Sequence, residues 1–213
     1  MRLDKKDMLL YAVTDRSWTG RQTLYEQVES ALRGGITCLQ LREKELDDDA
    51  FTAEAIQISA LCRRYGVPFI INDNVEVALR CGADGVHVGQ DDMDAAAVRA
   101  RAGKDLIIGV SAHSVEEALR AVEKGADYLG VGSMFSTSTK SNVVRLNNDI
   151  LRSICSAVDV PVVAIGGIGK SNILTLKGTG VDGAALVSAI FSAEDIESEC
   201  RLLRSLSEQM VNE

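Results

Sequence analysis

Short runs of Val, Ile and Leu alternate along the chain with longer stretches in which apolar residues recur every three or four positions. The runs read as strands over Leu9–Val13, Thr37–Leu41, Pro68–Ile71, Gly85–Val88, Leu106–Val110, Tyr128–Val131, Pro161–Ile165 and Ala184–Val187. The stretches between them predict helices over Leu24–Leu32, Phe51–Arg64, Val75–Arg80, Ala95–Ala102, Val115–Val122, Ile150–Val158 and Ile173–Lys177, with another over Ala193–Met210. Strands that are apolar on both faces belong to a parallel sheet covered by helices. The segments "GGITCLQL", "CGADGVHV", "KGADYLGV" and "TGVDGAALV" echo one another, each setting a glycine (Gly35, Gly82, Gly125, Gly180) at a predicted helix end before an even-numbered strand. Glycine suits the left-handed residue that closes a helix. Four double units predict an α/β chain folded as a single (β/α)8 TIM barrel domain over residues 1–213. The competing open, doubly wound sheet expects a glycine-rich first turn, which "TDRSWTGRQ" does not supply.

In a barrel of this kind the functional groups sit where strands end, and polar residues collect at those points. Strand one ends in Thr14-Asp15, strand two in "QLREK" (Gln40–Lys44) and strand three in Asn72-Asp73. Strand four gives His87 and "GQDD", strand five Ser111 and His113, strand six "STSTK", strand seven Gly166-Gly167 and strand eight Ser188. Alternation sends Gln40, Arg42 and Lys44 to one face and Leu41 and Glu43 to the other, so an amide and two cations face the mouth.

The chemistry suggested is anion binding. Arg42 offers a planar fork that matches a phosphate edge and Lys44 a mobile point charge; ion pairs with Glu43 or Glu45 are the purely structural alternative. "TSTK" adds hydroxyls at Thr137 and Thr139 and the cation Lys140, though Ser/Thr-rich loops need bind nothing. The loops "AIGGIGKSN" and "LVSAI" follow strands seven and eight, where barrels often hold phosphate. "GGIGKS" is no nucleotide P-loop, since Ala164 stands where that motif needs glycine. Asp73 and Asp92, after neighbouring strands, suit Mg²⁺ shared with phosphate oxygens and water. Equally, each caps the helix that follows, and Asp91 or Asp94 could take the place of Asp92. His87 reads as a buried, hydrogen-bonded side chain, and no Ser-His-Asp or Cys-His arrangement suggests a covalent nucleophile.

Composition narrows the partners. A net charge of −8 disfavours nucleic acid and anionic membrane surfaces as general partners, so an anionic ligand must be held by a few local cations. The five scattered cysteines, Cys38, Cys62, Cys81, Cys155 and Cys200, fit small buried hydrophobes in a reducing compartment. No apolar run is long enough to span a membrane and the N-terminus does not read as a signal peptide, so a cytoplasmic location is expected. Self-association into a homo-oligomer is left open.

Taken in order, "YAVTD" (11–15), "QLREK" (40–44), "IND" (71–73), "ADGVHVGQDD" (83–92), "GVSAHS" (109–114), "DYLGVGSMFSTSTK" (127–140), "PVVAIGGI" (161–168) and "VSAI" (187–190) resemble thiamine phosphate synthase. The resemblance implies a (β/α)8 transferase that joins hydroxymethylpyrimidine diphosphate to a thiazole phosphate, releasing pyrophosphate. It implies that Gln40, Leu41, Arg42, Glu43, Lys44, Asn72, Ser111 and Lys140 hold the pyrimidine diphosphate, with Arg42, Lys44, Ser111 and Lys140 catalytic. It implies Mg²⁺ on Asp73 and Asp92, and the thiazole phosphate on Thr137, Ser138, Thr139, Gly167, Val187 and Ser188. The implied mechanism is dissociative, diphosphate leaving before the thiazole nitrogen attacks. Ser133 and Ser136 depart from the family, which commonly has prolines there. The rivals are a thiazole tautomerase, which would lack the Arg/Lys and Asp/Asp sets, a non-catalytic sensor of thiamine precursors, and another phosphosugar barrel.

Overall fold

The structure, a computed structural model, describes residues 3–20, 22–136 and 145–212. Parallel strands follow one another around a closed barrel: β1 (Leu10–Val13), β2 (Cys38–Leu41), β3 (Phe69–Asn72), β4 (Gly85–Val88), β5 (Ile107–Ala112), β6 (Tyr128–Val131), β7 (Val162–Ile165) and β8 (Gly183–Leu186). β8 pairs back onto β1 through Tyr11 opposite Ala185, so the sheet has no edge to protect. Outside lie α1 (Leu24–Arg33), α2 (Asp48–Tyr65), α3 (Val75–Cys81), α4 (Ala95–Ala102), α5 (Val115–Glu123), α6 (Asn148–Ala157), α7 (Ser188–Phe191) and α8 (Ile196–Val211). Among the described residues no helix is long and apolar enough to cross a membrane.

The expected elements are present, with shifted ends. α2 begins three residues before the expected Phe51, because Asp47 caps it by accepting from the N–H groups of Asp49 (3.1 Å) and Ala50 (2.8 Å). α6 likewise begins at Asn148 behind the Asn147 cap, and α8 at Ile196 behind Asp195. β3 and β5 run further than their apolar residues suggest, which places Asn72 and Ser111 within the strands. The helix expected over Ile173–Lys177 is a single 3₁₀ turn, Ile173–Leu176, cut short by the left-handed Gly178 and Gly180. α8 packs on that turn as well as on α1, β8 and β1.

The repeated segments acquire a physical reason. Two residues after each flagged glycine stands a side-chain acceptor, Thr37, Asp84, Asp127 or Asp182. These take an N–H at the start of the preceding strand, the first in β1, β3 and β7 and the second in β5: Leu10 to Thr37 Oγ1 (2.9 Å), Phe69 to Asp84 (2.9 Å), Ile108 to Asp127 (2.7 Å) and Val162 to Asp182 (2.9 Å). A buried N–H with no partner is costly, so each double unit carries its own clamp at the barrel's amino end. That end is also plugged by Met8, fully buried at the end of a 3₁₀ turn.

Alternation then divides the side chains. Leu39, Leu41, Phe69, Ile71, Val86, Ile108 and Leu129 face the helices in the main apolar shell. Met8, Tyr11, Val13, Cys38, Ile70, Ile107, Tyr128, Val163 and Ala185 fill the barrel's interior. Asp84→Ala is expected to lower stability by roughly 1–3 kcal/mol, the cost of orphaning the buried Phe69 N–H. A urea midpoint that stays at the wild-type value would deny the clamp its role.

Candidate active site

Above the apolar interior the inward positions turn polar, forming a cavity at the carboxyl ends of the strands lined by Gln40, Arg42, Lys44, Asn72, Asp73, His87, Asp92, Ser111, Gly166, Gly167, Val187 and Ser188, among others. The inward parity read from "QLREK" therefore holds for Gln40, Arg42 and Lys44. Leu41 is fully buried in the outer shell and Glu43 is turned from the cavity, so neither side chain faces a ligand there.

The floor is a run of hydrogen bonds. Gln40 Nε2 donates to the Tyr11 hydroxyl (2.8 Å), which lies 2.7 Å from the Tyr128 hydroxyl. Tyr128 lies 3.0 Å from His87 Nδ1, and His87 Nε2 lies 3.0 Å from Ser111 Oγ. Burial pushes the Tyr11 phenol well above its ordinary range, and Tyr128 adds to that; burial does the same to Tyr128. Both phenols keep their protons. His87 is thus the buried, hydrogen-bonded residue the sequence suggested, while the tyrosines were missed. Their signal was register: Tyr11 shares inward parity with Val13, and Tyr128 with Gly130.

The cations lie above this floor. Arg42 is held by its backbone, its N–H donating to Thr14 Oγ1 at 2.9 Å. Its guanidinium meets Asp15 at a single 3.4 Å contact, so most of its donors are uncommitted among the described residues. Lys44 pairs with Asp73 at 2.6 Å. Neither pairs with Glu43 or Glu45. Glu43 instead accepts the N–H groups of Lys44 (2.7 Å), Glu45 (2.6 Å) and Leu46 (3.3 Å), and meets Arg16 Nε at 2.7 Å. Arg16 also reaches Glu54 on α2 (2.7 Å). Burial opposes ionisation of Glu43, yet the Glu45 N–H and Arg16 hold its carboxyl below the ordinary range. This buried carboxylate fixes the loop that presents Lys44, a role that sequence alone did not suggest.

The capping alternative for the aspartates does not hold. Asn74 caps α3 (to Val77 N–H, 3.0 Å) and Asp94 caps α4 (to Ala96 N–H, 3.0 Å) while pairing with Lys124. Asp73 takes a left-handed φ of 61°, sparsely populated for a residue with a side chain and characteristic of functional sites. Burial pushes its carboxyl above the usual range; Lys44 opposes this and Asp92 adds to it. Asp92 is fixed by the Gly89 N–H (2.7 Å). Two neighbouring carboxylates at the cavity, one of them paired with Lys44, are a hard-oxygen donor set that fits Mg²⁺, provided phosphate oxygens and water complete it. Among the described residues no group of three or more His, Cys, Asp or Glu side chains is placed to hold a metal unaided.

On the far side, Gly166 (φ 99°) and Gly167 (φ 64°) bring backbone to the cavity beside Val187 and Ser188. A side chain at Gly167 would lie 2.4 Å from the Ser136 carbonyl oxygen. Ser133, one of the two departures from the family's prolines, is buried and donates to the Phe135 carbonyl oxygen (2.7 Å), securing the turn by a hydrogen bond. Thr137, Ser138, Thr139 and Lys140 lie outside the described residues. His113 binds Glu117 within α5 (3.0 Å) and only edges the cavity.

The family model and the curated relatives agree on one family. A family model described as thiamine monophosphate synthase matches residues 10–190. A thiamine-phosphate synthase of Ruminiclostridium cellulolyticum is 49% identical over 93% of this chain and 95% of its own length. One from Clostridium acetobutylicum is 45% identical over 92% and 93%. Among solved structures, a thiamine phosphate pyrophosphorylase from Pyrococcus furiosus superposes with a TM-score of 0.89 at 39% identity, covering 98% of this chain and 99% of that one.

The Glu43 network generates a pH prediction. Its folded pKa is depressed, so its stabilisation is present above the unfolded value near 4.5 and is lost as pH falls through the lower folded value. Glu43→Gln is expected to cost roughly 1–3 kcal/mol at pH 7 and to flatten the loss of stability on acidification towards pH 4. Parallel stability–pH curves for the two proteins would contradict this.

Proposed function

The chain belongs to the thiamine monophosphate synthase family, transferases that make thiamine phosphate, and we propose that it does so by a dissociative substitution between a hydroxymethylpyrimidine diphosphate and a thiazole phosphate. One observation carries this reading: Arg42, Lys44, Asp73 and Asp92 converge on a single cavity whose floor is the Gln40–Ser111 hydrogen-bond run. The pyrimidine ring lies on that floor, between Gln40 and Ser111, with Asn72 beside it. Its diphosphate projects towards Arg42 and Lys44, with Lys140 completing the cation set. Leu41 and Glu43 contribute to this subsite through their backbone and through the placing of Lys44. The thiazole phosphate takes the opposite side, against Gly167, Val187 and Ser188, with Thr137, Ser138 and Thr139.

In the reaction the C–O bond to the diphosphate breaks and pyrophosphate departs with the electron pair. The pyrimidine stabilises the resulting cation, and the thiazole nitrogen's lone pair then forms the new C–N bond. No proton need be removed, which suits a cavity whose buried histidine, His87, is engaged on both ring nitrogens. Arg42 and Lys44 counter charge that develops on the leaving group, the kind of preorganised electrostatic stabilisation that is usually the largest part of catalysis. Asp73 and Asp92 would hold Mg²⁺, which when bound neutralises diphosphate oxygens. The reading takes residues 1–213 as one catalytic domain, and buried, reduced cysteines at Cys38, Cys62, Cys81 and Cys200 favour the cytoplasm. A tautomerase, needing no diphosphate site, leaves the Arg/Lys and Asp/Asp sets without purpose.

Pyrophosphate release is expected only when both precursors and Mg²⁺ are present, and EDTA should abolish it. Release from the pyrimidine diphosphate alone would mark a hydrolase, and no release a binding protein. Arg42→Ala should lower kcat about 100-fold or more while the melting temperature stays within a few degrees. Loss of folded protein instead would make Arg42 structural.

A further inference from the structure

Three consecutive residues after β1 each hold the end of β2. Thr14 Oγ1 accepts the Arg42 N–H (2.9 Å), Asp15 meets the Arg42 guanidinium (3.4 Å), and Arg16 reaches one residue further, to Glu43. Arg16 Nε and Nη2 both give hydrogens to Glu43 Oε2, at 2.7 and 2.5 Å, and Nη2 also bonds Glu54 Oε2 on α2 at 2.7 Å. The other Glu43 oxygen, Oε1, takes the N–H groups of Lys44, Glu45 and Leu46. One carboxylate thus has an oxygen pinned to the first loop while its second oxygen gathers the loop that carries Lys44.

Arg16 is itself firmly placed. Its 3₁₀ turn, Arg16–Trp18, is capped by Asp15 Oδ1, which accepts the Ser17 N–H at 2.9 Å. Thr19 Oγ1 donates to the Arg16 carbonyl oxygen (2.7 Å), and the buried Gln27 of α1 donates to that of Trp18 (2.8 Å). The Glu43 side chain is 2% exposed, and a buried carboxylate stripped of its cation is costly. Without Arg16 it must take up a proton or swing towards solvent, and either change loosens its hold on the three N–H groups. Lys44 carries one of those groups, and its Nζ lies 2.6 Å from Asp73. Movement of the loop is therefore felt where cation, carboxylate and leaving group meet.

We propose that Arg16 is a positioning residue for the reaction: through Glu43 it sets where the Lys44 ammonium stands, and so how well the departing diphosphate is stabilised. Arg16 does not line the cavity, so its influence passes through Glu43 and Lys44. Adjacent residues of one loop then act in opposite ways. Asp15 holds Arg42 by a contact that a ligand can replace, whereas Arg16 holds the Lys44 loop by contacts that stay closed throughout. The inference rests on the diphosphate site proposed above and adds a residue outside it.

A double-mutant cycle tests this, with two separate readouts: kcat/KM for the pyrimidine diphosphate, and the Kd of inorganic pyrophosphate with Mg²⁺ by titration calorimetry. Arg16→Gln is expected to lower kcat/KM about 10- to 100-fold and to weaken pyrophosphate about tenfold, leaving KM for the thiazole phosphate unchanged. In a Lys44→Gln background the same substitution should move either quantity less than about threefold, because the group it positions is gone. Arg16→Lys, which keeps the charge and loses the fork, should recover part of the loss, and it serves for the cycle if Arg16→Gln folds poorly. Asp84→Ala, at the amino end of the barrel, should lower the melting temperature without moving pyrophosphate binding. An Arg16 effect undiminished in the Lys44→Gln background, or no effect in either background, overturns the proposal. Pyrophosphate that fails to bind wild type defeats the diphosphate site and this inference with it. Pyrophosphate that binds wild type and the Arg16 variants equally defeats only the assignment of Arg16.

Discussion

A closed parallel barrel gives its interior one residue in two from every strand, and nothing polar can be left there without a partner. That constraint organises the molecule from end to end. At the amino end the burden falls on strand N–H groups, and Thr37, Asp84, Asp127 and Asp182 meet it. In the middle, interior side chains are apolar or, like Tyr11 and Tyr128, joined hydroxyl to hydroxyl. At the carboxyl end the polar groups outnumber the partners the strands can offer, and a cavity results.

The charges there are arranged in provisional pairs. Lys44 rests on Asp73, and Arg42 on Asp15 through one long contact. A diphosphate with its cation can exchange partners with these pairs: phosphate oxygens for the lysine and arginine, metal for the aspartates. Because the pairs are partly exposed, they contribute little to folding and are inexpensive to part. A chain of net charge −8 thus confines its attraction for an anion to one small region.

Much of the barrel was legible because hydrophobic runs and closing glycines are local signals. Strand parity placed Gln40, Arg42 and Lys44 correctly, and the order of strands brought Asp73 near Asp92. What local patterns could not give was which of several acidic residues caps a helix. Asn74 and Asp94 took that work, and the left-handed backbone at Asp73 became visible only in three dimensions. Nor could they reveal Glu43 gathering three N–H groups, or Tyr11 meeting Tyr128 from 117 residues away. Those are long-range or backbone facts, and the one sequence hint, inward parity for both tyrosines, needed the register to become meaningful. The helix expected over Ile173–Lys177 failed for a local reason, the left-handed Gly178 and Gly180 that follow its single turn.

Where that helix is reduced to one turn, α8 lies across it and across the seam where β8 meets β1. Segment 196–211 consequently covers both that turn and the seam. A chain lacking it can still pair β1 with β2 and β8, but that seam and the 3₁₀ turn lose the helix packed on them. Closure itself joins the last strand to the first, the contact of greatest sequence separation in the sheet, so the loop-closure entropy it costs is the largest the sheet meets.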